Sequence, residues 1–210
     1  MRVKICGITN VDDAVQVAEA GVDAIGLNFY QPSPRYVTIA QAADIAHAAG
    51  PFVTLVGLFV NAEKAIVDEA IARLPLHMLQ FHGDESPAFC EQFPLPYMKA
   101  IRMRDDLDLD SVFTQYATAS AILLDAYKAG VPGGTGETFD WKRVPKTSPL
   151  AIVLAGGLDS DNVQEAIRQT RPYAVDVSGG VELSPSIEDK PRVKDLNKVT
   201  AFINNAKANS

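Results

Sequence analysis

Short apolar runs alternate with polar and helix-forming stretches along most of this chain. Within each run the residues are continuously apolar, which is typical of parallel strands that are buried on both faces. The gaps between most runs leave room for the crossover connection, of at least about a dozen residues, that parallel strands need. We predict eight strands, at residues 3–6, 24–28, 52–59, 76–81, 97–101, 121–124, 151–154 and 173–177.

Amphipathic or alanine-rich segments fill the gaps and predict helices. Thr9 followed by Asp12 fits a helix-capping pattern, and Ser86 before Pro87 is a good helix opening. Glycine and proline between residues 127 and 140 predict a loop, followed by a short helix at residues 140–144. The clearest predicted helices span residues 11–20, 39–48, 62–73, 86–92, 110–116, 161–169 and 195–206.

The order of these elements predicts an α/β fold, a (β/α)8 TIM barrel of eight parallel strands. A chain of 210 residues is near the lower size limit of such a barrel. A doubly wound open sheet is the alternative. It is disfavoured because the first strand–helix turn has no nucleotide-binding fingerprint and because the eighth unit looks like the others. No linker-like stretch divides the chain, so we expect one barrel domain over residues 1–210.

Charge and cysteine content restrict the class of protein. A net charge of −7 makes nucleic acid and anionic membranes poor partners. The sequence has no signal-peptide pattern and no apolar run of spanning length, so we expect a cytoplasmic protein. Two cysteines are too few for a disulfide framework. The three histidines show no metal-ligand spacing, so no metal is expected.

Polar and glycine-rich clusters follow the predicted strands, on the side where ligands bind in parallel α/β folds. Each cluster alone is a weak signal, because strand ends often carry glycine only for turning. Their joint presence on one rim of a barrel indicates a site. The clusters are Lys4 with Cys6, residues 28–35, residues 80–83, Asp125, Gly156-Gly157 and Ser178-Gly179-Gly180.

Cys6 and Asp125 are the candidate catalytic pair. A lone cysteine is usually a small buried hydrophobe, and as a base it needs a thiol pKa lowered from roughly 8.5. Lys4 lies on the same face of the predicted strand as Cys6 and could stabilise the thiolate. Asp125 ends an apolar run, where we expect desolvation to raise the carboxyl pKa so that the group can donate a proton. An acid and a base in different surroundings suit an isomerisation.

Adjacent glycines predict a phosphate site. Backbone N–H groups of Gly156-Gly157 and Ser178-Gly179-Gly180 can ring an anion, and barrels often bind phosphate after strands seven and eight. Two tight turns are the alternative interpretation, and a phosphorylated substrate is favoured over it. The Gly133-Gly134-Thr135-Gly136 loop is not a nucleotide-binding P-loop, because no lysine follows it. It could form a lid or, through residues such as Gly134, donate backbone N–H groups to a phosphate.

Arg35 is the candidate carboxylate-binding residue. It lies in the loop Ser33-Pro34-Arg35, and a guanidinium in a rigid loop suits a planar carboxylate through two parallel hydrogen bonds. A solvated surface arginine is the alternative interpretation.

Nine motifs extend over the chain: KICGIT at 4–9, SPR at 33–35, QFHG at 80–83, LLDA at 123–126, GGTG at 133–136, FDW at 139–141, LAGGL at 154–158, VDVSGGVE at 175–182 and VKD at 193–195. Together they resemble the phosphoribosylanthranilate isomerase family of tryptophan biosynthesis. The KICGIT and VDVSGGVE motifs are specific in combination.

The resemblance implies a cofactor-free Amadori rearrangement of N-(5′-phosphoribosyl)anthranilate to 1-(2-carboxyphenylamino)-1-deoxyribulose 5-phosphate. It implies that Asp125 is the general acid, which protonates the ribose ring oxygen, and that Cys6 is the base, which removes the C2′ proton. Arg35 matches the family residue that holds the anthranilate carboxylate. The Gly156-Gly157 and Ser178-Gly179-Gly180 backbones would hold the phosphate, and His82 would shape the pocket.

The chain departs from the family pattern after the VDVSGGVE motif. A short Pro-Gly-x-Lys-Asp run is usual there, whereas residues 185–195 form a longer segment without glycine.

Two other functions are the alternatives to this isomerisation. A related phosphosugar barrel would use two aspartates as acid and base, or Lys99 as a Schiff-base nucleophile. Cys6 as a base on the first strand argues against both mechanisms. A non-catalytic barrel that binds a phosphorylated metabolite would need neither Cys6 nor Asp125.

Overall fold

The strands form a closed barrel in which every neighbouring pair is parallel and the spatial order equals the chain order. The computed structural model describes residues 1–126, 138–183 and 192–208. The predicted (β/α)8 barrel is therefore confirmed, and each strand lies within two residues of its predicted bounds. The strands are β1 (Arg2–Cys6), β2 (Ala24–Asn28), β3 (Thr54–Phe59), β4 (Met78–Phe81), β5 (Tyr97–Arg102), β6 (Ala121–Asp125), β7 (Ala151–Leu154) and β8 (Ala174–Val177).

Helices connect the strands, and the described residues contain seven α-helices. The helix predicted at residues 86–92 is a single turn, and the one predicted at 140–144 is the 3-10 turn Trp141–Arg143. The α-helices are α1 (Val11–Glu19), α2 (Ile39–Ala49), α3 (Lys64–Arg73), α4 (Pro87–Cys90), α5 (Leu109–Gln115), α6 (Val163–Thr170) and α7 (Leu196–Lys207).

The cap of α1 differs from the sequence prediction. Asn10 is the N-cap, and its Oδ1 accepts a hydrogen bond from the Asp13 backbone N–H at 2.7 Å. The Thr9 hydroxyl instead donates to the Arg192 carbonyl oxygen at 2.8 Å. Thr9 as the cap was therefore wrong, because its hydroxyl is used to hold a segment near the other end of the chain. Ser86 does cap α4, accepting from the Phe89 N–H at 3.3 Å.

Side chains inside the barrel change from apolar to polar along the strands. The apolar part of the interior is a small cluster that includes Met98, Leu123 and Val153. Alternate residues of a strand face the same side, so Asp125 follows Leu123 along the interior face of β6. Nearer the carboxyl ends of the strands, buried polar and charged side chains line the cavity of the barrel, among them Asn28, Gln80, Asp125 and Asp176. The side chains that could take part in a reaction therefore lie at this end of the barrel.

Two sequence predictions concern residues outside the described ranges. The GGTG loop with Gly134 lies wholly outside them, as do residues 185–191 of the extended segment before α7. In the described part of the chain, no helix has the length and apolar character that a membrane crossing would need. That residues 1–210 form a single domain stays a prediction.

Candidate active site

A cavity of about 900 Å³ opens at the carboxyl ends of the strands. Its wall is formed by loops that follow several different strands. It therefore brings together most of the site residues that the sequence singled out. Those on the wall are Cys6, Arg35, His82, Asp125, Gly156, Gly157, Ser178, Gly179 and Gly180.

Lys4 lies within the barrel beside Cys6, as the alternation of β1 predicts. A Cβ atom on Gly26 would lie 2.7 Å from Cys6 Sγ and 3.2 Å from Lys4 Nζ, so both groups occupy the space that this glycine leaves. Lys4 Nζ also donates to Asp176 Oδ1 at 2.9 Å, across the pairing of β1 with β8. Burial lowers the Lys4 pKa, but attraction to Asp176 and Cys6 outweighs it, and the pKa is raised.

The pKa of the Cys6 thiol is raised, whereas the sequence led us to expect a lowered value. Burial destabilises the thiolate and raises the pKa of Cys6, and the nearby Asp176 carboxylate raises it further. Lys4 acts in the opposite direction without cancelling the effect of burial. The expectation of a lowered thiol pKa is therefore wrong. The predicted role of Lys4 in favouring the thiolate agrees with the direction of its charge effect.

Asp125 is held at the end of β6 by hydrogen bonds to both carboxyl oxygens. Oδ1 accepts from the Ala126 backbone N–H at 2.9 Å, and Oδ2 lies 3.1 Å from His82 Nε2. Gln80 Nε2 lies 2.9 Å from His82 Nδ1 on the other side of the ring. When Gln80 donates to Nδ1, the imidazole carries its proton on Nε2 and donates to Asp125. His82 thus orients the carboxyl group as well as lining the cavity.

The two glycine clusters follow the neighbouring strands β7 and β8 and meet on the cavity wall. Gly156 has φ of +83°, and a Cβ atom there would lie 2.3 Å from the Ala126 backbone nitrogen. A Cβ atom on Gly180 would lie 2.0 Å from the Leu158 carbonyl oxygen. Both positions therefore require glycine, which leaves backbone exposed on the wall where a ligand anion can approach it.

Arg35 extends from the loop after β2 to Glu182, which follows β8. Its Nε donates to Glu182 Oε1 at 2.6 Å and its Nη2 donates to Glu182 Oε2 at 2.8 Å. The pairing is bidentate and largely buried. One edge of the guanidinium is therefore already bound to a protein carboxylate, which sequence reasoning did not predict.

Sequence reasoning assigned no role to Asp176, Glu182 or Lys194, although each lies within one of the nine motifs. Asp176 pairs with Lys4, and burial raises its carboxyl pKa. Lys194 Nζ donates to Glu182 Oε1 at 2.9 Å, to the Cys6 carbonyl oxygen at 2.7 Å and to the Ser178 carbonyl oxygen at 3.2 Å. The available signal was the presence of charged residues within these motifs.

Lys99 occupies a position that does not suit a Schiff-base nucleophile. Its Nζ donates to Glu85 Oε2 at 3.1 Å and to the Gly83 carbonyl oxygen at 2.6 Å, and it lines a separate cavity of about 280 Å³. An ammonium group that donates to these acceptors has no lone pair with which to attack a carbonyl. The alternative reaction through Lys99 is thus disfavoured by geometry.

Sequence comparisons identify relatives over nearly the full chain. The family model of N-(5′-phosphoribosyl)anthranilate isomerase matches residues 3–205. The isomerase of Alcanivorax borkumensis is 54% identical over 207 residues, which are 98% of this chain and 95% of the relative. The isomerase of Azotobacter vinelandii is 57% identical over 203 residues, which are 97% of this chain and 96% of the relative.

Solved structures agree with these relatives. The phosphoribosylanthranilate isomerase of Thermotoga maritima superposes with a TM-score of 0.87 at 37% identity, covering 99% of both chains. A second structure is described as the isomerase in complex with reduced 1-(o-carboxyphenylamino)-1-deoxyribulose 5-phosphate. It superposes with a TM-score of 0.84 at 36% identity, covering 99% of both chains. This chain therefore belongs to the N-(5′-phosphoribosyl)anthranilate isomerase family.

Proposed function

We propose that Cys6 and Asp125 are the base and the acid with which this chain isomerises N-(5′-phosphoribosyl)anthranilate. Membership of the family makes the chain an aldose–ketose isomerase of tryptophan biosynthesis. The observation that carries the residue roles is that a thiol and a carboxyl group line one cavity at the carboxyl ends of β1 and β6. Two strands, β7 and β8, separate them on one side of the barrel.

In the first step the acid opens the sugar ring. Asp125 transfers its proton to the ribose ring oxygen, the C1′–oxygen bond breaks, and the anilino nitrogen lone pair forms the Schiff base. The hydrogen bonds that the carboxyl group makes with His82 and with the Ala126 N–H orient it for this transfer. Orientation of this kind reduces the entropy lost in reaching the transition state.

In the second step the base removes the proton from C2′. The Cys6 thiolate takes the proton, and the electron pair of the C–H bond forms the double bond of the enolamine, which then tautomerises to the ketone. The positive charge of the Schiff base acidifies the C2′ proton, so a thiolate is a sufficiently strong base. Lys4 favours the thiolate form against the effect of burial.

The two anionic ends of the substrate have separate proposed binding groups. The backbones of Gly156, Gly157 and Ser178-Gly179-Gly180 would bind the phosphate, and Arg35 would bind the anthranilate carboxylate. The ligand of the related complex, reduced 1-(o-carboxyphenylamino)-1-deoxyribulose 5-phosphate, carries both groups. Arg35 also lines the cavity, and its Nη2 would lie 3.4 Å from a Cβ atom on Gly179. This proximity supports one substrate spanning both groups.

The activity is tested by mixing the protein with freshly made phosphoribosylanthranilate and following the loss of its fluorescence. We expect a loss that is proportional to protein concentration and faster than spontaneous decay. The contrary result is binding of the reduced product analogue in calorimetry with no acceleration of fluorescence loss. That outcome would identify a non-catalytic barrel that binds a phosphorylated metabolite.

Lys4 should control the pH at which Cys6 becomes active. Because only the thiolate acts as base, activity rises as pH approaches the thiol pKa, and removing Lys4 raises that pKa. In Lys4→Met we expect the rising limb of kcat/KM against pH to move upward by about one unit. Asp176→Asn should move it downward, because Asp176 opposes the thiolate.

Iodoacetamide alkylation against pH provides an independent reading of the same pKa. Cys90 is fully buried away from the cavity and burial raises its pKa to about 12, whereas Cys6 lines the cavity, so alkylation reports Cys6. Lys64→Met, which removes an exposed ion pair with Asp68, is the matched control and should leave both profiles unchanged. Coincident profiles for Lys4→Met and the wild-type protein would show that Lys4 has no influence on the thiol.

Gly180→Ala should weaken phosphate binding more than Gly179→Ala. A methyl group at Gly180 overlaps the Leu158 carbonyl oxygen and forces the backbone to move, whereas one at Gly179 reaches only ordinary contact with Arg35. We expect KM to rise by roughly tenfold or more in Gly180→Ala, because misplaced N–H donors bind an anion poorly. Inorganic phosphate inhibition is the second readout. Equal inhibition constants for both variants would argue against a phosphate site here.

A further inference from the structure

Glu182 is a buried carboxylate that has no role in the proposed proton transfers by Asp125 and Cys6. Only 5% of its surface is exposed, and its oxygens accept hydrogen bonds from Arg35 and Lys194. Burial alone would raise the pKa of Glu182, but these two cations outweigh it and hold the pKa below its usual range. The pKa of Lys194 is lowered, chiefly by burial, although attraction to Glu182 acts in the opposite direction. Glu182 therefore lies between two basic side chains that both donate to it.

The contacts of Glu182 determine which edge of Arg35 is available. A guanidinium has five N–H donors, and its Nε and Nη2 donors can pair side-on with one carboxylate. Glu182 occupies that edge completely through its two oxygens. Among the described residues, no acceptor is bound to the end-on edge, formed by Nη1 and the remaining N–H of Nη2, and this edge is available to a second carboxylate. Arg35 can therefore hold a protein carboxylate and a ligand carboxylate at the same time.

Lys194 connects this pair to the proposed base. Its ammonium group has three N–H donors, and the three acceptors are Glu182, the Cys6 carbonyl oxygen and the Ser178 carbonyl oxygen. No donor of Lys194 is left for a substrate, so its role is to position other groups. The Arg35 guanidinium and the Cys6 backbone are thus held by one chain of buried, charge-assisted hydrogen bonds.

We propose that Glu182 is the positioning residue for recognition of the substrate carboxylate: it fixes the Arg35 guanidinium side-on, so that the end-on edge faces the cavity at a set distance from Cys6. This inference rests on the proposed binding of the anthranilate carboxylate by Arg35. It predicts selectivity for N-ribosides of aromatic amines that carry an ortho carboxylate. Without Glu182, Arg35 keeps its charge and loses its orientation.

The experiment compares two substrates, phosphoribosylanthranilate and its analogue phosphoribosylaniline, which lacks the carboxylate. In the wild-type protein we expect the carboxylate to raise kcat/KM by about a hundredfold. In Glu182→Gln the ratio should fall to about tenfold or less, mainly through KM for phosphoribosylanthranilate. A general loss of structure lowers both rates alike and leaves the ratio unchanged. The ratio therefore separates positioning from stability.

Two further variants complete the test. Glu69→Gln, which removes an exposed ion pair with Arg73, is the matched control and should keep the wild-type ratio. Glu182→Asp keeps the charge beside Lys194 but shortens the side chain, so its ratio should be intermediate. It also takes the place of Glu182→Gln if that variant does not fold. A wild-type ratio in the folded Glu182 variant overturns the inference.

Arg35→Met distinguishes this inference from the proposed function on which it rests. If Arg35 binds the carboxylate, the ratio collapses in Arg35→Met. If the ratio collapses there but stays at its wild-type value in the Glu182 variants, only the role of Glu182 is wrong. If Arg35→Met keeps the wild-type ratio, the carboxylate is bound elsewhere and both statements fail.

Discussion

Cys6→Ser is expected to lower kcat by about two to four orders of magnitude, the usual contribution of a positioned general base. The substitution keeps the size of the side chain, but a serine hydroxyl does not ionise near neutral pH. Removal of the C2′ proton then loses its base, while the phosphate and carboxylate contacts remain. KM should therefore change little. Stopped-flow measurement of the fluorescence loss gives both constants.

The second cysteine provides a matched control for this substitution. Cys90 is fully buried at the end of α4 and does not line the cavity wall. Cys90→Ser therefore makes the same chemical change away from the proposed site, and it should affect stability more than kcat. Calorimetry with the reduced product analogue should show near wild-type affinity in Cys6→Ser. A kcat within a few-fold of wild type in Cys6→Ser would remove this residue from its proposed role.

Asp125→Asn is expected to cause a loss of kcat of similar size, about two to four orders of magnitude. The amide retains the shape of the carboxyl group, and its oxygen can still accept from the Ala126 N–H. It has no acidic proton to give to the ring oxygen, so ring opening depends on water. Binding affinity should remain, because no phosphate or carboxylate contact is removed. The same fluorescence assay and calorimetry measure both effects.

Asp68→Asn is the control for the loss of a carboxylate as such. Asp68 forms an exposed ion pair with Lys64 on α3, so its removal should leave kcat unchanged. If Asp125→Asn turned over at the wild-type rate, the proton for the ring oxygen would have to come from another group. Asp176 would be the first to examine, because it lines the same cavity and its carboxyl pKa is raised by burial.

The barrel could be predicted closely because its signals are local. Continuous apolar runs indicate strands that are buried on both faces, and their spacing requires crossover helices. Helix starts could be predicted less closely, since a hydroxyl group can cap a helix or form a hydrogen bond elsewhere. At Thr9 the structure shows the second outcome, with a bond to Arg192, a residue 183 positions away. Sequence spacing gives no indication of such a partner.

The identity of the main site residues could be predicted from the sequence, whereas their pKa shifts and ion pairs could not. Cys6 and Asp125 stood out because a strand end with a reactive side chain is visible in the sequence and because the motifs resembled a family. The direction of the shift in the Cys6 pKa was predicted wrongly, because the desolvation of a thiol depends on packing from all sides of the barrel. The pairing of Arg35 with Glu182 joins residues 147 positions apart, which no local pattern reveals.

The path of hydrogen bonds from Arg35 to Cys6 has a consequence for folding experiments. Its members come from the first two strand–helix units and from the last one, and β1 pairs directly with β8. An early intermediate containing only the amino-terminal units would hold Cys6 and Arg35 without the groups that orient them. Recovery of enzymatic turnover during refolding should thus lag behind the recovery of helical signal, and it would time the moment at which the two ends of the chain meet.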